Sequence, residues 1–211
     1  MSQLDFSTTL GNAWFPTPIF TASGCASSGK ELAQFFDLRD MGAIVTKSIM
    51  TKPRAGRATP RMAETPSGML NSIGLQGPGI DAFLANDLAW LVEQKARIIV
   101  SIAGETAEEF ASLARRLRGV AGISALEVNI SCPNVENRGM VFACHLESAQ
   151  TVIEGVRRTI GGDLPIIAKL SPDVTDIVSI ARGVIDAGAD GLALINTVLG
   201  MVINPNTMRP H

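Results

Sequence analysis

Short apolar runs recur along the chain at residues 19–22, 43–45, 98–102, 125–128, 165–170 and 192–195, and amphipathic segments separate most of them. Mostly apolar runs of this length suit strands buried on both faces, as in parallel sheets. Between them, apolar residues return at helical spacing. Ile80, Phe83, Leu84, Leu88 and Leu91 form one stripe, and Ala107, Phe110, Ala111, Ala114 and Leu117 a second. Leu146, Ala149, Ile153, Val156 and Ile160 form a third, and Ile177, Ile180, Ala181, Val184 and Ile185 a fourth. A further helix is predicted over 31–38. Thr106 with Glu109 three residues on is a capping box, Thr175 is read as the cap of the last helix, and Gly188 as its end.

Six strand–helix alternations predict an α/β protein with a parallel sheet. A (β/α)8 TIM-type barrel, about six βα units of it present, is the first reading; a doubly wound open sheet is the second. Polar residues favour the barrel. Lys47, Asn129, Lys169 and Asn196 all stand at the C-terminal ends of strands, where barrel enzymes place their chemistry. The passage 51–79, rich in proline and glycine, reads as one long irregular loop, a feature that is often functional.

Composition narrows the function. The 211 residues are 46% apolar and 18% charged, with a net charge of −2. That balance gives no footprint for nucleic acid, and no apolar run reaches membrane-spanning length. The first residues lack the pattern of a signal peptide. Cys25, Cys132 and Cys144 make neither a metal spacing nor a disulfide framework, so no metal is expected and a reducing cytoplasm is the simplest location.

The densest chemistry lies in Glu127-Val128-Asn129-Ile130-Ser131-Cys132-Pro133-Asn134, where a strand turns abruptly polar. Pro133 ends the strand. Asn129 and Asn134 each carry donors and an acceptor able to frame a planar ligand. A free cysteine is most often a small buried hydrophobe, but a thiol at a polar strand end is a candidate proton carrier. Lys169, inside an apolar run, needs an acceptor or an anion. Lys47 has snorkelling as its bland alternative, and Asn71 a turn. Arg54, Arg57 and Arg61 read as a solvated loop face.

Asn129 to Asn134 resembles the active-site motif of dihydroorotate dehydrogenases. Residues 64–76 resemble that family's substrate loop, and Lys169-Leu170-Ser171-Pro172 and Leu194-Ile195-Asn196-Thr197 its later strand ends. The resemblance implies one FMN-binding barrel domain over residues 1–211 that oxidises dihydroorotate to orotate in pyrimidine (UMP) synthesis. It implies Cys132 as the base. Lys47, Asn71, Asn129, Asn134, Asn196 and Thr197 would hold the substrate, with Met69, Gly74 and Leu75 from the loop. Ala22, Ser23, Lys47, Ser48, Asn129 and Lys169 would contact FMN. Dihydropyrimidine dehydrogenase-like FMN barrels, and a non-catalytic remnant of the family, are alternatives; a Schiff-base aldolase using Lys169 or Lys47 is the competing enzyme class.

A cysteine base and the stretch 135–142 resemble the soluble NAD-linked class. That class works with an iron–sulfur flavoprotein subunit carrying FAD and a 2Fe–2S cluster, and homodimerises. Phe142-Ala143-Cys144-His145 departs from the family's small residues before the next helix. The chain ends after the sixth strand, so the family's last two strands, whose turns bind the FMN phosphate, are expected to be absent. On that expectation the first and sixth strands are unpaired edges, and the polypeptide alone binds FMN weakly.

Overall fold

The computed structural model describes residues 4–131 and 142–210. A hairpin of β1 (Thr8–Leu10) and β2 (Ala13–Phe15) comes first. The parallel sheet begins at β3 (Ile44–Val45). The predicted strand at 19–22 is reduced to one parallel bridge, Phe20 with Ala43. The predicted helix over 31–38 does not form either. Two 3₁₀ turns, Leu32–Gln34 and Leu38–Asp40, stand in its place, and Asp37 caps the second by accepting from the Arg39 amide.

The passage 51–79 is more ordered than expected, because β4 (Met62–Thr65) and β5 (Gly68–Asn71) pair as an antiparallel hairpin. Helix α1 (Ile80–Ala82) continues through a π-type segment, Phe83–Leu88, into α2 (Ala89–Glu93). Then β6 (Ile98–Ile102), α3 (Ala107–Leu117), β7 (Ile123–Asn129), α4 (Leu146–Ile160), β8 (Ile166–Lys169), α5 (Ile177–Asp186) and β9 (Gly191–Ala193) alternate as the periodicity predicts. A hairpin of β10 (Ile203–Asn204) and β11 (Arg209–Pro210) follows.

The five strands β3-β6-β7-β8-β9 form one all-parallel sheet. Alternation along each strand gives the sheet two different faces. Ile98, Val100 and Ile102, with Leu126 and Val128, join the large core under the helices, which includes Phe110, Leu113, Val152, Ile153 and Val184. Ile99, Ala125 and Ile167 face the other way, into a smaller cluster with Phe15, Ala43 and Val45. Phe15, fully buried and stacked at a tilt 4.8 Å from Phe20, fills the floor of that inner face. Leu10 closes it beside Gly191, where a Cβ would stand 2.8 Å from the Leu10 side chain.

Helix α3 is capped as expected at one end of the box, with the Glu109 amide donating to Thr106 Oγ1 at 3.2 Å. The returning bond is displaced by one residue, since Glu109 Oε2 accepts from the Glu105 amide. The cap of α5 is Asp176 rather than Thr175: its carboxylate accepts from the amides of Val178 and Ser179. A carboxylate at that position also complements the positive end of the helix dipole.

Candidate active site

Above the apolar inner layer, the same lumen-facing alternation brings polar residues to the C-terminal ends of the strands. Ser101 follows Ile99 at i+2 on β6, Glu127 and Asn129 follow Ala125 on β7, and Lys169 follows Ile167 on β8. The register sets Ser101 beside Glu127 and Asn129 beside Lys169. All four are buried.

Hydrogen bonds join these residues across the strands. Asn129 Nδ2 donates to Ser48 Oγ at 2.9 Å, and Ser48 Oγ lies 3.0 Å from Ser101 Oγ. Ser101 Oγ donates to Glu127 Oε1 at 2.8 Å. On the other side Ser131 Oγ donates to Asn129 Oδ1 at 2.6 Å, and Asn196 Nδ2 donates to Ser131 Oγ at 2.7 Å. Ser23 Oγ stands 3.3 Å from Ser48. Burial raises the Glu127 carboxyl above its usual range, and the Lys169 charge and the Ser101 hydrogen bond partly offset that rise. Among the described residues no fully buried side-chain nitrogen or oxygen lacks a partner.

The structure therefore gathers Ser23, Ser48, Asn129, Lys169, Asn196 and Thr197 at one end of the sheet, Thr197 through bonds from its amide and hydroxyl to Asn196 Oδ1. Lys47 lies at the margin, where a Cβ on Gly24 would stand 3.3 Å from its Nζ. It also lines a cavity of about 560 Å³ with Gly24, Thr46, Arg54, Gln76 and Asp87. Ala22 is exposed on the loop after Phe20, its carbonyl accepting from the Cys25 amide.

The loop residues lie apart from this network. Met69 and Asn71 are exposed on β5, and no hydrogen bond of the described residues joins them to the strand ends. Gly74 at φ +78° and Leu75 at φ +53° turn the chain back, so that Leu75 packs on Met50 and Ala103, just beyond Ser48 and Ser101. Arg54 is a correction to the solvated reading. It is half-buried, bridges backbone to Gly77, and pairs with Glu105 at 2.7 Å, tying this loop to the end of β6. Cys132 and Asn134, and most of the stretch 135–142, lie outside the described residues.

Phe142 leads into α4 through a 3₁₀ turn, Phe142–Cys144, and meets Phe110 edge-on at 6.0 Å. The Ala143 amide donates to the Ile130 carbonyl, and the Cys144 thiol to the Asp173 carbonyl at 3.3 Å. The departure from the family pattern thus seats a normal helix start.

Three polar residues of the network, Ser101, Glu127 and Ser131, were not singled out as site residues from the sequence. Ser101 and Glu127 sit in strand runs that read as apolar, and Ser131 lies inside the Asn129–Asn134 motif. The available signal was their placement two residues from other lumen-facing positions.

A parallel βα sheet with its polar residues at the C-terminal strand ends defines a barrel-type enzyme scaffold. The sequence model of the dihydroorotate dehydrogenase family matches residues 5–210. The chain is 45% identical over its whole length to the "Dihydroorotate dehydrogenase B (NAD(+)), catalytic subunit" of Geobacter sp. (strain M21), covering 68% of that protein. It is 50% identical to the protein of the same name from Desulforudis audaxviator, over 92% of this chain and 62% of that one. The crystal structure of a DHODH from Eimeria tenella in complex with ferulenol matches with a TM-score of 0.75 at 18% identity, over 98% of this chain and 62% of that one. That likeness shows the barrel fold. The chain belongs to the dihydroorotate dehydrogenase family, and so to the oxidoreductases. It spans about two thirds of the length of the curated relatives it matches. Among the described residues no helix is long and apolar enough to cross a membrane.

Proposed function

We propose that this chain, as one domain over residues 1–211, carries the site in which dihydroorotate is oxidised to orotate with FMN in pyrimidine synthesis. The observation behind the proposal is the polar rim of Ser48, Asn129 and Lys169, all buried, with half-buried Asn196 beside them, above an apolar floor. Such a rim suits two planar rings with carbonyl edges, one of them bearing a carboxylate. The donor set also fits FMN: Lys169 and Asn129 side by side, with Ser48 and Ser23 within hydrogen-bond reach of one another. Ala22, Ser23, Lys47, Ser48, Asn129 and Lys169 would hold it. When bound, FMN supplies the hydride acceptor of the reaction, and a cation near its ring tunes it.

The chain's own work is binding, orientation and one proton transfer. Lys47, Asn71, Asn129, Asn134, Asn196 and Thr197, with Met69, Gly74 and Leu75, would hold the substrate. Cys132 would take the proton from C5 of dihydroorotate. Its thiol needs neighbouring cations or donors to reach the thiolate near neutral pH. The names of the relatives support an NAD-linked catalytic subunit. On that reading electrons leave through an iron–sulfur flavoprotein subunit carrying FAD and a 2Fe–2S cluster, and the assembly is a cytoplasmic one built on a homodimer.

The test is substitution of Cys132 by Ala. Flavin binding is retained, while dihydroorotate oxidation falls by about two to four orders of magnitude. Unchanged oxidation in Cys132→Ala refutes the base. Borohydride trapping of a carbonyl compound on Lys47 or Lys169, with no flavin bound, would replace the proposal with aldolase chemistry.

A further inference from the structure

The rim contains a buried carboxylate for which the proposed reaction has no use. We propose that Glu127 is a positioning residue. Its carboxylate is the terminal acceptor of a one-way hydrogen-bond chain from Thr197 through Asn196, Ser131, Asn129, Ser48 and Ser101, and it thereby decides which atoms of the two asparagines face a ligand. The inference deepens the functional reading above and rests on it for the identity of the ligand.

The direction follows link by link from the inventory of donors. Above the pH range in which it titrates, the Glu127 carboxylate is ionised and only accepts, so the Ser101 hydroxyl must spend its single proton on it. Ser101 then has only lone pairs for Ser48, 3.0 Å away, and Ser48 must donate. With its own proton committed, Ser48 can only accept from Asn129 Nδ2 and from Ser23. That assigns the Asn129 amide: nitrogen toward Ser48, oxygen toward Ser131. Ser131 donates to that oxygen and so accepts from Asn196 Nδ2. The Asn196 oxygen is left to receive the Thr197 amide at 2.8 Å and hydroxyl at 3.2 Å.

The chain fixes what remains for a ligand. Both lone pairs of Asn196 Oδ1 are taken, so within the bonds of the described residues Asn196 has one N–H left and nothing else. On the same count Asn129 has one N–H and one lone pair left. Ser48 is saturated. The rim next to Asn196 therefore reads an acceptor oxygen, such as that of a carboxylate or ring carbonyl, and rejects a donor. Without a charged terminus, the Ser48–Ser101 link is free to reverse, and the amide orientations lose their anchor. Hydrogen bonds in such chains polarise one another, so an effect at one end is felt along the line.

The experiment uses the full chain, with orotate as the probe, and two changes: the isosteric Glu127→Gln, and Ser101→Ala, which removes one hydroxyl. Side-chain amide resonances of Asn129 and Asn196 are assigned by ¹⁵N NMR without ligand, and orotate affinity is measured by calorimetry. The inference expects both variants to shift both amides, Asn196 included, although Asn196 touches neither changed residue. Each is expected to weaken orotate roughly tenfold, and the double variant to be no weaker than the worse single one, because both cut one chain. Unmoved Asn196 resonances overturn it, as do multiplying effects in the double variant. So does orotate affinity within twofold of wild type in both single variants. A wild-type chain that ignores orotate while the amides still shift would sink the functional reading and leave the direction of the chain standing.

Discussion

The two faces of the five-stranded sheet do different work with neighbouring residues of the same strands. Ile98 and Ile99 are both fully buried on β6, yet one enters the core under the helices and the other the small inner cluster. The helix-covered face is wide and apolar throughout, with Phe110, Leu113 and Leu117 from α3 and Val152, Ile153 and Val156 from α4 packed on it. Among the described residues the cluster on the inner face has six buried apolar residues, Phe15 of the first hairpin included, and it then gives way to the Ser48–Ser101–Glu127–Asn129 rim. Stability is concentrated where side chains interdigitate fully, and chemistry where polar groups replace them. The difference teaches that a strand's two registers are under separate physical demands.

The largest effect that would break this contrast comes from truncation to alanine on each of the two faces. Phe110→Ala, on the helix side, is expected to cost about 3–5 kcal/mol, and Ile99→Ala, on the inner side, a value near the lower end of about 2–5 kcal/mol. Urea denaturation measures both. A costlier Ile99→Ala would mean that the inner layer, and not the helix-covered core, holds the fold.

The Glu127 carboxyl sharpens the contrast through pH. Its pKa is raised in the folded chain, chiefly by burial. Between the ordinary carboxylate range and that raised value, the native state holds more proton than the unfolded one. Stability from this group therefore falls as pH rises through that window. Glu127→Gln is expected to flatten the fall, read as the urea midpoint against pH. An unchanged slope would show that the group is not desolvated as its surroundings indicate.

Much of this architecture was legible in the residues, and the exceptions have physical reasons. The runs at β6, β7 and β8 are buried on both faces and mostly apolar, so they stand out without any need to know which side they face. The region 31–38 carries Leu32, Phe35, Phe36 and Leu38, which mimic a helical stripe. Phe35 is 81% exposed, however, and the capping Asp37 breaks the run. The β4–β5 hairpin was hidden because its strands expose most of their side chains, so no apolar alternation marks them amid proline and glycine. At the site, the amides and lysines were visible because polar residues at strand ends are conspicuous. Glu127 and Ser101 were not, because a network depends on register between strands, which no single strand records.

The smallest effect concerns only the helix side. Thr106→Ala removes the hydroxyl that receives the Glu109 amide and is expected to cost about 1 kcal/mol. Orotate affinity should stay as it was, since α3 reaches the site only through the strands it covers. A loss of affinity there would show that the two faces are coupled more tightly than their separate clusters imply.

The division of labour is tested most directly at Asn129, which belongs to the rim and to neither apolar cluster. Orotate affinity and thermal midpoint are measured side by side for the wild-type chain and Asn129→Ala. The account predicts that affinity falls by about tenfold or more while the midpoint falls less than it does in Phe110→Ala. Retained affinity with a collapsed midpoint would contradict it, placing Asn129 in the framework of the fold and not in its chemistry.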